Sequence, residues 1–382
     1  MRKLKKAYLE VYFLLNNTLR KMKIVLILLK DIVIQNCYNL SELKKAKSVV
    51  LFFVPANKAM LGGIMAIFRF AKYSRLVNKE AFIAISTYPG KKTYSKNTRF
   101  PNQERIYRFE QFTSNCKFID NLIVNIPESV ACDFYRRLNN AEIKFLKSIK
   151  QLRINIMNQN IQLMPPLTKL ESLKKLTHNI TQTTGFEKYT TQEVCDRWGF
   201  PLYFLLPTFE VDYSVFKKAF YLKKNIFFYS PDEHPRKIEI LQRLKYLLPK
   251  YKFVEIRNIS YTKFLKFAAI CKFAITFGEG FDGFIAEMHK LGGVGFAVYN
   301  EDFFPSKDFL DFENIFSSWD DLKNNIGNTI TLLLNNPQKY AECSSMLLNQ
   351  VDTSYKIETT INCLKDFYSN KPTFVPKNGI HP

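Results

Sequence analysis

The sequence is poor in glycine and proline, 13 and 16 in 382 residues, which excludes a collagen-like chain or a linker. It has no long polar low-complexity tract either, so an intrinsically disordered protein is excluded. The seven cysteines, Cys37, Cys116, Cys132, Cys195, Cys271, Cys343 and Cys363, are odd in number, scattered and never spaced C-x-x-C, as expected of free thiols in a reducing compartment. Only four histidines occur, His178, His234, His289 and His381, none at a metal-ligand spacing such as H-E-x-x-H, so no metal is expected. A Walker A loop, a G-x-S-x-G elbow and a kinase signature are missing. A G-x-G-x-x-G fingerprint after the first apolar strand is missing too, which argues against an NAD enzyme.

What is present is apolar bulk: 47% hydrophobic residues, with 35 Phe and 20 Tyr. That is enough buried surface to offset ordering entropy, and the length fits two domains of roughly 150 to 200 residues. The charge is one-sided, 56 Lys and Arg against 34 Asp and Glu, for a net +22. Residues 1–110 hold 22 of the cations and only six acids, so +16 of the excess lies there. A Lys-rich composition from genomic base bias accounts for a bulk surplus, but not for this asymmetry.

The first 45 residues combine a basic start with two apolar stretches, interrupted by Glu10, Asn16-Asn17, Lys30 and Asp31. Neither stretch reaches the ~18 to 20 residues of a membrane-spanning helix, and no small-residue cleavage site follows to make a signal peptide. Two amphipathic segments remain, with Arg2, Lys3, Lys5, Lys6, Arg20, Lys21 and Lys23 beside Tyr8, Tyr12, Phe13, Leu14 and Leu15. They suit an anionic membrane surface or, equally, packing on the domain that follows.

From Ser48 short apolar runs alternate with stretches of helical length, the pattern of β-α-β units on a parallel sheet. VVLFFVP (49–55), AFIAIS (81–86) and FIDNLIVNI (118–126) read as strands of a first block, with a helix from about Ser129. Residues 141–197 are polar, rich in Asn, Gln and Thr, and helical in pattern. PLYFLLPTFEVDYSVF (201–216) reads as a strand entering a hinge. A second block has strands NIFFYS (225–230), KFVEIR (252–257), FAITF (273–277) and VGFAVYN (294–300), with helices near Pro235, Tyr261 and Gly283. A helical tail from Trp319 to Ser369 starts behind the N-cap candidate Ser318. The expected class is α/β, two Rossmann-like doubly wound domains facing a cleft: a basic segment over 1–47, domains over 48–210 and 211–345, and a C-terminal helix and tail over 346–382.

The stretch FAITFGEGFDGFIAEMHKLGGVGFAVYN (273–300) concentrates the chemistry. Glu279 lies in the loop after a strand and Glu287 in the following helix. Gly278, Gly280 and Gly283 let backbone approach a ligand, and the helix start suits a diphosphate. A carboxylate beside it accepts hydrogen bonds from sugar hydroxyls. Gly62 and Gly63 open the first helix of the first block, and Lys58 could add charge there.

The run E-G-F-D-G-F-I-A-E resembles the E-x7-E motif of retaining GT-B glycosyltransferases, in the branch that serves bacterial surface polysaccharides. The resemblance implies that Glu279 binds the hydroxyls of the donor sugar and Glu287 the ribose, with Gly280, Phe281 and Asp282 in the donor loop and Gly62-Gly63 as a glycine-rich donor loop of the first domain. It implies a basic pair that steadies the departing diphosphate; Arg236 and Lys237 stand near the second of those places, while Pro231 occupies the first. The implied reaction uses a nucleotide-diphosphate sugar, needs no metal or other cofactor, and retains configuration by front-face attack, with the departing phosphate able to take the acceptor's proton. The expected acceptor is a glycan, lipid-linked, reached from the inner face of the cell membrane by a cytoplasmic, peripheral protein. No nucleic acid partner is expected, since the basic residues do not interleave with aromatics in a recognised module. Two other readings stay open: an inactive GT-B partner subunit, suggested by Pro231, and a basic nucleic-acid-binding protein.

Overall fold

The computed structural model describes residues 2–90, 92–208, 213–281, 283–354 and 356–377, with side chains described outside 1–16 and 346–354. It opens on helices α1 (Arg2–Asn36) and α2 (Ser41–Lys45). A first unit follows: β1 (Ser48–Val54), α3 (Gly62–Val77), β2 (Phe82–Thr87), β3 (Ile106–Tyr107), α4 (Phe109–Asn115), β4 (Asn121–Pro127), α5 (Glu128–Ala131), α6 (Phe134–Arg137), α7 (Asn140–Ser148), β5 (Gln151–Asn158), α8 (Leu167–Lys174), β6 (Ile180–Thr184), α9 (Gln192–Trp198) and β7 (Leu202–Phe204). The second unit runs β8 (Lys224–Tyr229), α10 (Lys237–Leu247), β9 (Lys252–Glu255), α11 (Tyr261–Ile270), β10 (Cys271–Ile275), α12 (Gly283–Lys290), β11 (Val294–Val298) and β12 (Ile315–Phe316). Helices α13 (Trp319–Asn335), α14 (Pro337–Ser354) and α15 (Ile357–Tyr368) complete the chain.

Each unit holds one all-parallel sheet, ordered β3-β2-β1-β4-β5-β6-β7 in the first and β12-β11-β10-β8-β9 in the second. Helices cover both faces, so the central strands are apolar throughout rather than alternating. In β1, Val49, Leu51 and Phe53 pack on one side with Phe109, Phe112 and Phe134, while Val50, Phe52 and Val54 pack on the other with Ile64, Ile67 and Phe68 of α3. Phe53 meets Phe109 and Phe134 edge-on at 5.3 and 5.4 Å, and burying a ring of this size contributes about 1.5–3 kcal/mol. The Ser318 side chain accepts a hydrogen bond from the Asp321 N–H, capping α13 as its sequence predicts.

Three expectations are corrected. The polar stretch over 141–197 is not helical throughout: it contributes the buried strands β5 and β6. Several of their polar side chains pair within the sheet: Asn155 Nδ2 donates to Asn125 Oδ1 at 3.0 Å, the Thr181 hydroxyl donates to Asn155 Oδ1 at 3.0 Å, and Gln182 Nε2 donates to the Phe200 carbonyl at 3.1 Å. Polar burial with partners mimics a solvated helix to any reading based on hydropathy. Secondly, the helix expected from about Ser129 is split into the two short pieces α5 and α6. Thirdly, the two N-terminal segments are one helix, α1, about 52 Å long at 1.5 Å per residue; Asn16-Asn17 does not break it.

Helix α1 touches the first unit near its C-terminal end. Asp31 accepts from the Ser95 N–H at 3.0 Å, and Gln35 Nε2 donates to the carbonyls of Tyr94 and Ile106. At the other end of the chain α15 returns to the first unit. The Tyr368 hydroxyl donates to Ser74 at 2.7 Å, and the buried Arg153 guanidinium donates to the Phe367 carbonyl and lies 4.3 Å from its ring.

Candidate active site

Parallel strands end in loops on one side, and ligands of such sheets bind there. In this chain the carboxyl ends of the two sheets face each other. Hydrogen bonds cross between them at three places along the cleft, all from residues that follow strands. At one end Arg99, after β2, donates to the Asn258 carbonyl at 2.9 Å and accepts from the Tyr261 N–H at 2.6 Å. At the other, Gln162 Nε2 and the Tyr189 hydroxyl donate to Asp302 at 3.0 and 2.7 Å, and Lys188 donates to the Glu301 carbonyl at 2.6 Å. These donors hold the Asp302 carboxyl below its usual range. Between them Asn160, after β5, donates from Nδ2 to Glu279 Oε1 at 2.9 Å.

Glu279 therefore sits in the middle of the cleft, in the loop after β10. Burial raises its carboxyl above the usual value, with Asn160 opposing and the Asp232 charge adding to the rise. The loop is shaped by close approaches. A Cβ on Gly278 would lie 2.8 Å from Asp232 Oδ2. Gly280, at φ +95°, has no room for one beside Phe304 and the Val298 carbonyl. Phe281 is buried against Phe304 and Phe309 at 5.5 and 5.0 Å. Asp282 lies outside the described residues, and Gly283 begins α12.

Glu287 lies on α12 and is buried. The Tyr261 hydroxyl donates to its Oε1, and the Tyr213 hydroxyl stands 3.2 Å from that of Tyr261. Burial together with the Glu287 charge pushes both tyrosines well above their ordinary value. The two glutamates of the E-x7-E spacing thus occupy different settings, Glu279 against the first unit and Glu287 inside the second.

Arg236 and Lys237 are both engaged by carboxylates of the second unit. Arg236 donates to Asp320 Oδ1 at 2.7 Å and Glu239 Oε2 at 3.3 Å. Lys237 is buried, donating to the Asp232 carbonyl at 2.9 Å and Glu255 Oε1 at 3.0 Å. Two cations missed by the sequence reading, Arg99 and Lys263, line the cleft together with Lys58, which is paired with Asp31 at 3.4 Å. A pocket of about 390 Å³ between the units is bounded by Lys58, Thr98, Arg99, Asn258, Ser260 and Lys263, at the start of α11. No motif marks Arg99 or Lys263; only the topology brings them to Lys58.

Gly62 and Gly63 open α3. A Cβ on Gly63 would push aside the Gln159 side chain at the end of β5. Beside Gln159 is a carboxyl that the sequence reading also missed. Glu128, directly after β4, is buried, accepts the Gln159 N–H at Oε2 at 3.3 Å and also accepts the Asn160 N–H. His234 stacks on Trp319 at 4.0 Å, and His289 is fully buried, with Nδ1 3.1 Å from the Ser344 carbonyl and Nε2 accepting the Gly295 N–H.

Two parallel sheets in series, joined along facing carboxyl edges, match known architectures. The chain is similar to HepE of Anabaena, solved in complex with UDP-glucose: TM-score 0.53 at 10% identity, covering 84% of this chain and 99% of that one. The fold is GT-B. Sucrose-phosphate synthase from Thermosynechococcus elongatus gives TM-score 0.52 at 10% identity over 85% of this chain and 98% of its own. A glycosyltransferase from Rickettsia africae gives 0.50 at 10% identity, with coverages of 85% and 98%. No protein-family model matches the chain, and no curated protein matches it significantly. Glu128, Asn160 and Gly63 lie at the carboxyl edge of the first sheet and Glu279 at that of the second, with Glu287 buried behind it.

Proposed function

We propose that the chain is a glycosyltransferase that moves a sugar from a nucleotide-diphosphate donor, bound in the cleft mainly by the second domain, to a glycan acceptor on the first. The observation that carries this reading is the Asn160–Glu279 hydrogen bond between the carboxyl edges of two parallel sheets, in a fold whose neighbour HepE is described with UDP-glucose. Glu279 meets the donor sugar's hydroxyls and Glu287 the ribose. Lys58, Arg99 and Lys263 balance the diphosphate from their pocket, with Arg236 and Lys237 as the pair that the E-x7-E resemblance names. Retention of anomeric configuration is part of the proposal and rests on that resemblance.

The acceptor is proposed to be lipid-linked, in surface-polysaccharide synthesis, and the protein to work peripherally on the inner face of the membrane. Exposed apolar residues along α1 support this: Leu19, Met22, Leu26, Leu29 and Val33 recur at helical spacing beside exposed Arg20, Lys21, Lys23 and Lys30. A contiguous apolar face rimmed with cations suits an anionic bilayer. Among the described residues no helix is long and apolar enough to cross one.

A thermal-shift screen against UDP-glucose, GDP-mannose, dTDP-rhamnose and the free nucleotides tests the reading. A ligand at a hundredfold excess over Kd stabilises by about 2.7 kcal/mol. The expected result is a shift with one nucleotide sugar, lost in Glu279→Ala and reduced in Lys263→Ala. An unchanged shift in Lys263→Ala with loss in Arg236→Ala would return the diphosphate to the α10 side. No shift with any donor would refute the activity. A donor that binds without transfer would leave the inactive partner subunit as the better reading.

A further inference from the structure

A carboxyl group taken out of water normally acquires a cation. Glu128 has none: among the described residues no Lys, Arg or His forms an ion pair with it, and its partners are the backbone N–H groups of Glu128 itself, Gln159 and Asn160. It is only 5% exposed. The charged group facing it across the cleft is Glu279, an acid again, and Asn160 joins the two, its N–H to Glu128 and its Nδ2 to Glu279. On its own domain the ionisable neighbour is Tyr88, after β2, with Arg137 of α6 5.8 Å from the Tyr88 ring. Burial, with Glu279 adding, pushes the Glu128 carboxyl up to about 7.

Unsatisfied polar atoms collect at the same sheet edge. Both amide atoms of Asn158 and Gln159 Nε2 are buried without a partner, and so is the Tyr88 hydroxyl. Asn158 ends β5, which pairs with β4 just before Glu128, Pro127 standing opposite Met157, and Gln159 follows directly. Buried amides and hydroxyls without partners cost about 1–3 kcal/mol each. A ligand carrying several hydroxyls supplies what they lack, and a packed apolar core does not.

Resting on the glycosyl-transfer reading, we propose that the β4–β5 edge seats the acceptor sugar and that Glu128 is the catalytic residue that takes the proton of its reacting hydroxyl. As the acceptor oxygen bonds to the anomeric carbon, the bond from that carbon to the diphosphate breaks and its electron pair leaves with the nucleoside diphosphate. The hydroxyl proton passes to the Glu128 carboxylate and then to water. The departing phosphate is thereby relieved of that task, whichever face the acceptor attacks. A base with a midpoint near the working pH is suited to this role.

Water in the acceptor seat serves as the probe, so no identified acceptor is needed. Nucleoside diphosphate release is followed from pH 5 to 9 with whichever of UDP-glucose, GDP-mannose and dTDP-rhamnose binds, in wild type and Glu128→Gln. The amide keeps an oxygen for the Gln159 and Asn160 N–H groups but cannot take a proton. The expected result is a wild-type rate that rises with pH through about 7, and a Glu128→Gln rate lower by about a hundredfold or more, flat with pH, with donor binding unchanged. Glu128→Gln activity within threefold of wild type overturns the proposal, as does a wild type that binds donor but releases no diphosphate above the buffer rate. Loss of donor binding in Glu128→Gln would also overturn it, by making the residue structural. Absence of donor binding in wild type would instead sink the glycosyltransferase reading on which it rests.

Discussion

A buried carboxyl that must ionise should weaken the fold, and Glu128 allows the size to be worked out. In the unfolded chain it loses its proton near the usual 4.5, and in the fold near 7. Between those values the native state holds the extra proton, so the stability Glu128 contributes is complete below 4.5 and is lost as pH rises through 7. At 1.36 kcal/mol per pH unit the loss reaches about 3 kcal/mol by pH 8 and only about a quarter of that at pH 5. Glu128→Gln cannot ionise and escapes it. For a domain of this size that corresponds to a rise in Tm on the order of 5 to 10 °C at pH 8, shrinking to one or two degrees at pH 5. The wild type alone will not display the slope. His289, fully buried, is held down to about 4 from 6.5 by burial, so its contribution is present above 6.5 and lost as pH falls, in the opposite sense over nearly the same window. The difference between the two proteins, from parallel thermal melts at pH 5 and pH 8, isolates Glu128. A Glu128→Gln protein that is less stable at pH 8, or whose advantage does not grow with pH, would refute the reasoning. The combination of lower activity and higher stability is what a functional residue held against its preference should give.

Two further outcomes are expected. Gly280→Ala should destabilise the protein by about 1–3 kcal/mol, because φ +95° disfavours an L side chain and Phe304 and the Val298 carbonyl leave no space; denaturant midpoints that match wild type would contradict this. In vesicle flotation the full chain should follow anionic lipid at low salt and leave it at high salt, and Leu26→Glu with Leu29→Glu should abolish binding; equal association with neutral vesicles, or self-association through α1 without lipid, would contradict electrostatic docking on a bilayer.

The legibility of the fold tracks the chemistry of its strands. β1, β8, β10 and β11 are short apolar runs beneath helices on both faces, and the sequence shows them within two residues of their observed ends. Strands β5 and β6 are hidden because they bury polar side chains inside the sheet, Asn155 bonded to Thr181 and Thr183 and Gln182 donating to the Phe200 carbonyl, and hydropathy registers only the polarity. β3 and β12 are two residues long and leave no period to detect.

The candidate site divides the same way. Its second-domain side is contiguous in sequence, a strand, a glycine loop and a helix within the 28 residues 273–300, so a local motif captures Glu279 and Glu287. Its first-domain side is assembled from the ends of four strands: Lys58 after β1, Arg99 after β2, Glu128 after β4, and Gln159 and Asn160 after β5. Single residues separated by 29 or more positions carry no local signal, and two of them, Gln159 and Asn160, follow a strand that was itself invisible. The front-face course came from the E-x7-E resemblance and named no base; the residue proposed as one, Glu128, lies on the half of the cleft that only the parallel topology brings together. The proposed donor site can therefore be read from a motif, whereas the proposed acceptor chemistry depends on strand order, which puts Glu128 beside Gln159 and sets both opposite Glu279.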